Sequence, residues 1–109
     1  MEYKYYMEVH SYEHMLNAYE IAKLYNIKTL TDKPHNRLVA RMLSEYNKKY
    51  NDPKLYYQTK TGLMRVWPKS VYESVFNEFI NTHEHNTELT IEFSNKTHYF
   101  IIKEGASIC

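Results

Sequence analysis

The sequence predicts a single α+β domain over residues 1–109, in the order β-α-α-β-β-α-β-β, with a mostly antiparallel five-stranded sheet and three helices on one face. Two periodic patterns of apolar residues favour this class. Segments in which apolar and polar residues alternate predict strands, and apolar residues recurring every three or four positions predict helices. The length suits one domain, and only two glycines and three prolines interrupt it, so long disordered stretches are not expected.

The first strand is predicted at residues 3–9, where apolar side chains occupy every second position. Ser11 then offers a hydroxyl that can cap a helix. Met15 and Leu16 begin a stripe at helical spacing, so the sequence predicts a first helix that runs to about Tyr25.

The second helix is predicted to start in the segment 31–34, where a capping oxygen precedes Pro34 in the first turn. The Asn51-Asp52-Pro53 segment ends it. Its apolar face is predicted to contain Leu38, Met42, Leu43, Tyr46 and Tyr50.

Two hairpins flank a third helix. Strands 55–59 and 63–67 surround a predicted three-residue loop that ends in Gly62. Ser70 and Glu73 have the spacing of a capping box, in which each side chain bonds the other residue's backbone N–H. The helix that follows has one apolar face, made of Tyr72, Val75, Phe76, Phe79 and Ile80.

The last hairpin is predicted to turn at Asn95-Lys96, between strands 87–93 and 97–103. Phe93 then faces His98, Ile91 faces Phe100, and Leu89 faces Ile102. Every large apolar side chain of the first strand meets an apolar or aromatic partner in this register, which favours the pairing.

The segment that contains the second helix is rich in basic residues. Between residues 28 and 54 there are seven basic and three acidic side chains, although the net charge of the chain is only +1. Lys33, Arg37, Arg41 and Lys48 are candidate contacts for the phosphates of a nucleic acid. The alternative is a solvated charged face with no ligand.

An aromatic group on the first hairpin is a candidate interface for a second copy of the chain or another protein. Alternation places Tyr57 and Arg65 with Leu55 and Trp67, and Tyr56 on the opposite face. Both faces are then apolar or aromatic, and Tyr, Trp and Arg are enriched in interface hot spots. Coverage by the protein's own helices is the alternative.

Three histidines form a candidate metal site: His83 and His85 at a helix–strand junction, and His98 on the last strand. The alternative is a polar loop with two exposed histidines. Carboxylates show no paired spacing, and Cys109 at the chain end is poorly placed as a nucleophile, so we expect no cofactor and a binding protein rather than an enzyme.

The location of the protein is predicted to be intracellular. The first residues lack the basic and apolar regions of a secretory signal, and the single Cys109 forms no internal disulfide. Apolar runs are short, as at 99–102, so no membrane partner is expected.

The opening Met-Glu-Tyr-Lys-Tyr-Tyr-Met-Glu-Val-His, the tyrosine-rich helices and the scarcity of glycine resemble small orphan proteins of crenarchaeal filamentous viruses. The resemblance concerns overall character and carries over no functional residue. It implies the host cytoplasm and a role in host takeover, genome handling or assembly. Our leading hypothesis is a non-enzymatic, self-associating protein that binds nucleic acid; the alternatives are a metal-dependent hydrolase or nuclease and an inhibitor of a host protein.

Overall fold

The computed structural model describes residues 15–52 and 54–103, and this part of the chain is α+β. The predicted strand at 3–9, the Ser11 cap and Cys109 lie outside the described residues. The elements are β1 Met15–Leu16, α1 Ala18–Leu24, β2 Ile27–Lys28, α2 Asn36–Tyr50, β3 Leu55–Thr59, β4 Gly62–Pro68, α3 Lys69–Thr82, β5 Leu89–Phe93 and β6 Lys96–Ile102.

The prediction of one five-stranded sheet was wrong. The described strands form two antiparallel three-stranded sheets, with the orders β1-β4-β3 and β2-β6-β5. Each hairpin gains a third strand, β1 or β2, that is only two residues long. So short a strand has no period-two pattern, and sequence reasoning therefore missed both.

The first helix begins later than predicted. Met15 and Leu16 pair with β4 in the first sheet rather than joining the helix. Asn17 is the N-cap: its Oδ1 accepts from the Glu20 backbone N–H at 2.8 Å, and Glu20 Oε1 accepts from the Asn17 N–H at 3.0 Å. This reciprocal capping box starts α1 at Ala18, and Tyr25 is its C-cap.

The second helix also starts late, at Asn36 rather than near Pro34. Pro34 bridges to Lys28, and the His35 backbone N–H donates to the Ile27 carbonyl at 2.9 Å, so this backbone is held to β2. His35 is the N-cap, with Nδ1 accepting from the Leu38 N–H at 3.2 Å. The predicted end is confirmed, because Asn51 caps the helix in the left-handed conformation.

The first hairpin has a two-residue loop, Lys60-Thr61, instead of the predicted three-residue loop. Gly62 pairs with Thr59 and has a φ of 140°, which favours glycine. The register therefore moves by one residue, and the side chains of β3 exchange faces. Tyr56 now lies opposite Arg65, and Tyr57 opposite Met64, so the predicted grouping of Tyr57 with Arg65 and Trp67 was wrong.

The third helix confirms its predicted apolar face but not its predicted cap. Tyr72, Phe76, Phe79 and Ile80 are buried, and Val75 packs against the same core. The helix follows β4 directly, with Pro68 as an N-cap that makes no side-chain hydrogen bond. Ser70 is therefore already inside the first turn, where it cannot act as the N-cap of a capping box.

The last hairpin turns at Ser94-Asn95, one residue before the predicted turn. Both residues have positive φ, 50° and 66°, as a two-residue type I′ turn requires. Leu89 lies opposite Phe100 and Ile91 opposite His98, so the predicted pairs were wrong by two positions. A shift of two keeps every side chain on its predicted face.

One apolar core joins all three helices to both sheets. Tyr25 is one of its buried members, with its ring 5.4 Å from Phe76 and its hydroxyl 2.9 Å from Asn77 Oδ1. Other members include Trp67 of β4 and Phe100 of β6. A second, smaller cluster contains Met15, Val66, Leu55, Tyr57 and Met64. The larger core fixes the inner side of α2 and leaves its opposite side free to carry charge.

Candidate nucleic-acid interface

A basic row runs along α2 on the side away from the core. Arg37, Arg41, Ser44 and Lys48 follow one another at spacings of three or four, which places them on one helical face. Arg37 and Lys48 are exposed, whereas Leu38 and Leu43 on the inner side are fully buried. Lys33 lies in the exposed loop before the helix. The predicted basic residues therefore share a surface, with Lys33 at its margin.

Arg41 is held in place by three contacts. Its Nη2 lies 3.0 Å from Glu45 Oε2 and donates a hydrogen bond to Ser94 Oγ. Its guanidinium lies 5.8 Å from the centre of the Phe93 ring. Arg41 therefore fastens α2 to the β5–β6 turn, and its removal would alter local structure as well as charge.

A groove between α2 and β6 lies beside this row, and we call it the α2–β6 groove. It encloses about 300 Å³ and is lined by Arg37, Ala40, Arg41, Ser44, Lys96 and His98. None of these lining residues is acidic. Lys96 was missing from the sequence-based set because the predicted register placed it in the turn.

A larger cavity lies on the other side of the row, and we call it the α2–β4 cavity. It encloses about 570 Å³. Four basic side chains line it, namely Arg41, Lys48, Lys54 and Arg65. Glu45 and Asp52 are the two acidic ones. The net charge of the lining is therefore positive, although less uniformly than in the groove.

Arg65 belongs to this cavity rather than to an aromatic interface. Its guanidinium lies 5.1 Å from the centre of the Trp67 ring. The satisfied orientation of the buried Asn47 amide places its oxygen 3.1 Å from Arg65 Nη2 and 3.2 Å from Trp67 Nε1. Asn47 thus links α2 to two residues of β4. Burial lowers the pKa of the Arg65 guanidinium.

The structure divides the four residues predicted to form the interface. Trp67 is only 2% exposed and belongs to the main core. Tyr56 lies opposite Arg65, whereas Tyr57 packs in the small cluster with Met15 and Val66. The four side chains therefore do not form one surface.

His83 and His85 bond the last turns of α3. The Nδ1–H of His83 donates to the Phe79 carbonyl at 2.8 Å, and the Nε2–H of His85 donates to the Ile80 carbonyl at 3.0 Å. Carbonyls near a helix C-terminus lack intrahelical donors, and these imidazoles supply them. Within 15–52 and 54–103, no three His, Cys, Asp or Glu side chains are grouped closely enough to hold a metal ion.

His98 lies instead beside His35, with 6.4 Å between their ring centres. His98 is 7% exposed, and its pKa is lowered by burial and then by Lys96, Arg41 and Arg37. Burial also lowers the pKa of His35, while a hydrogen bond with the Tyr99 backbone opposes that shift. The surroundings of both imidazoles therefore favour their neutral form, and one of them, His98, lines the basic groove.

No protein-family model, curated protein or solved structure significantly matches the chain. In the part of the chain that the structure describes, no helix is long and apolar enough to cross a membrane.

Proposed function

We propose that this chain is a non-enzymatic nucleic-acid-binding protein whose contact surface is the basic face of α2 extended by Lys96. The observation that carries the proposal is the α2–β6 groove, in which Arg37, Arg41 and Lys96 line one depression without an acidic residue. Lys48 extends the basic surface along the helix, and Lys33 adds a basic side chain in the loop before it. Such a surface favours phosphate contacts, which supply most sequence-independent affinity.

The expected binding is electrostatic and depends steeply on salt. If three or four phosphates are neutralised, the logarithm of the binding constant should fall with a slope of about −2 to −4 against the logarithm of salt concentration. Fluorescence anisotropy of labelled single- and double-stranded DNA, titrated with protein at several salt concentrations, measures this slope. Absence of binding even at low salt would contradict the proposal.

The residues are tested by charge reversal. The double variant Arg37→Glu, Lys96→Glu changes exposed side chains of the groove and keeps Arg41 itself, and it should abolish DNA binding while leaving the circular dichroism spectrum unchanged. A matched control, Lys23→Glu with Lys69→Glu, changes the net charge equally on α1 and α3. Equal loss in both double variants would indicate a general charge effect rather than a site.

Self-association or docking on a host protein is a second candidate function, supported by the small apolar cluster. Met15, Tyr57, Met64 and Val66 line a depression of about 220 Å³ together with Glu20. An interface there would include Tyr57 and exclude Trp67. Sedimentation of the wild type and of Met64→Glu tests the self-association part, and a monomer at all concentrations would remove it.

Two further predictions do not enter this proposal. The resemblance to proteins of filamentous viruses, and with it a location in the host cytoplasm, stays a prediction. A metal-dependent hydrolase or nuclease is not proposed, because His83 and His85 each bond a helix carbonyl and His98 lies beside His35 instead. Within the described ranges, no three His, Cys, Asp or Glu side chains are grouped to hold a metal ion.

A further inference from the structure

The α2–β4 cavity contains an arginine that has no anionic partner among the described residues. Arg65 is half-buried, and its neighbours are the uncharged Asn47 amide and Trp67 ring. It makes no ion pair with any residue in 15–52 or 54–103. Withdrawing a cation from water without a counter-ion raises the free energy of the folded protein. An anion supplied from outside would lower it.

Both arginines of the cavity also have unsatisfied donors. The Nε atoms of Arg41 and Arg65 are buried and have no hydrogen-bond partner among the described residues. The positive potential of each guanidinium is thus only partly neutralised, in surroundings that screen charge poorly. Contacts with Glu45 and Phe93 hold Arg41, and Trp67 holds Arg65. The two cations are therefore positioned before any ligand arrives, which limits the entropy lost on binding.

The size and charge of the cavity indicate the class of anion. Its volume of about 570 Å³ is typical of sites for small molecules. Four basic and two acidic side chains leave an excess of two positive charges, and Ser44 and Asn51 add neutral polar groups. A phosphate monoester carries a charge of roughly −1.5 to −2 near pH 7. An internal phosphodiester carries only one charge and continues in both directions, which suits a cavity walled by α2 and β4 less well.

We propose that the α2–β4 cavity binds a phosphate monoester, either the terminal phosphate of a nucleic-acid strand or a free phosphorylated molecule of nucleotide size. Arg65 and Arg41 supply fixed guanidinium charges, and Lys48 and Lys54 add ammonium groups. Ser44 supplies a hydroxyl.

This site is separable from the groove. Arg37 and Lys96 line only the α2–β6 groove, whereas Lys54 and Arg65 line only the α2–β4 cavity. The inference therefore does not need the proposed nucleic-acid function, and different substitutions test the two surfaces.

The test compares single-stranded oligonucleotides of one sequence with a phosphate or a hydroxyl at the 5′ end, and likewise at the 3′ end, using an internal fluorescent label. Charge-assisted hydrogen bonds to the added phosphate should raise affinity about tenfold for one phosphorylated end. In parallel, AMP and adenosine are titrated with amide chemical shifts as the readout, and AMP alone should shift the amides of residues around Lys54. Lys54→Gln should remove these preferences, and Lys69→Gln is the matched control on α3.

The outcomes distinguish the two sources of the phosphate monoester and show whether the cavity binds one at all. A preference for a phosphorylated end that Lys54→Gln abolishes identifies a strand end as the ligand. Binding of AMP with the same sensitivity, but no preference between oligonucleotides, identifies a free phosphorylated molecule. No preference and no AMP binding would overturn the inference, even if both oligonucleotides bind in a salt-dependent way through the groove. Failure of every oligonucleotide to bind would instead contradict the proposed function, and the AMP titration would then decide this inference alone.

Discussion

The two neighbouring imidazoles, His35 and His98, connect proton binding to stability. Burial lowers the pKa of His98, and the charges of Lys96, Arg41 and Arg37 lower it further. His35 accepts the Leu38 N–H through Nδ1, which a doubly protonated ring cannot do. Both environments therefore oppose protonation in the folded state.

The stability of the protein should fall as the pH is lowered from about 6.5 to the folded-state pKa values of His35 and His98. Both histidines have folded-state pKa values below 6.5, so the unfolded chain binds more protons between those values and 6.5. The free energy of unfolding therefore rises with pH through that window. The contribution of the two histidines to stability is present above about pH 6.5 and is lost as the pH falls through their folded-state pKa values. Urea unfolding at several pH values from 5 to 7.5 measures the slope.

The double variant His35→Asn, His98→Phe is the critical comparison. Asparagine retains an acceptor for the helix N-terminus, and phenylalanine suits a site beside the Phe93 ring. We expect this variant to lose most of the pH dependence in that window. An unchanged slope would assign the dependence to other groups.

The candidate contact residues were predictable from sequence only where helical spacing alone determines their position. Arg37, Arg41 and Lys48 follow from helical periodicity, and the structure places them on one face. Arg65 and Lys96 could not be assigned, because their surroundings depend on the pairing of strands that are distant from α2 in sequence. The exposed Tyr50 was misplaced on the apolar face because periodicity does not show where the core stops.

At the level of elements, the two hairpins show why register is hard to predict. The predicted loop of the β3–β4 hairpin was one residue too long, which placed the side chains of β3 on the wrong faces. Tyr56, rather than Tyr57, therefore shares a face with Arg65. The error of two positions in β5–β6 changed no face. Alternation specifies which residues share a face, whereas the turn conformation specifies the register.

Asn95 is the position at which the β5–β6 register can be tested. Its φ of 66° is tolerated by asparagine and glycine but strained for a β-branched residue. Asn95→Val should therefore destabilise the protein by about 1–2 kcal/mol, while Asn95→Gly should be neutral or stabilising. Chemical denaturation measures both.

Thr97→Val is the control on the same hairpin, since a β-branched residue suits an extended strand position there. It should change stability little. If Asn95→Val were as stable as the wild type, the turn would not lie at Ser94-Asn95.

At the scale of the whole molecule, the α+β class was predictable and the division into two sheets was not. The class follows from local periodicities, which three helices and two hairpins confirm in the described ranges. Sheet composition depends on which segments that are distant in sequence pair with each other. β1 and β2 are too short for their sequence pattern to indicate which strand each one pairs with. What unites the two sheets is the shared core, which contains Trp67 from one and Phe100 and Ile102 from the other.

This shared core predicts that the two sheets unfold together. Trp67 is the single tryptophan and is 2% exposed, so its fluorescence reports on the first sheet. Ile102 is fully buried in the second sheet, and Ile102→Val should lower the free energy of unfolding by about 0.5–1.5 kcal/mol. If the core is one cooperative unit, tryptophan fluorescence and far-ultraviolet circular dichroism should give coincident transitions in the wild type, and the variant should shift both midpoints equally. A shift in circular dichroism without a shift in fluorescence would mean that each sheet unfolds on its own, and α2 would then lose its fixed position between the groove and the cavity.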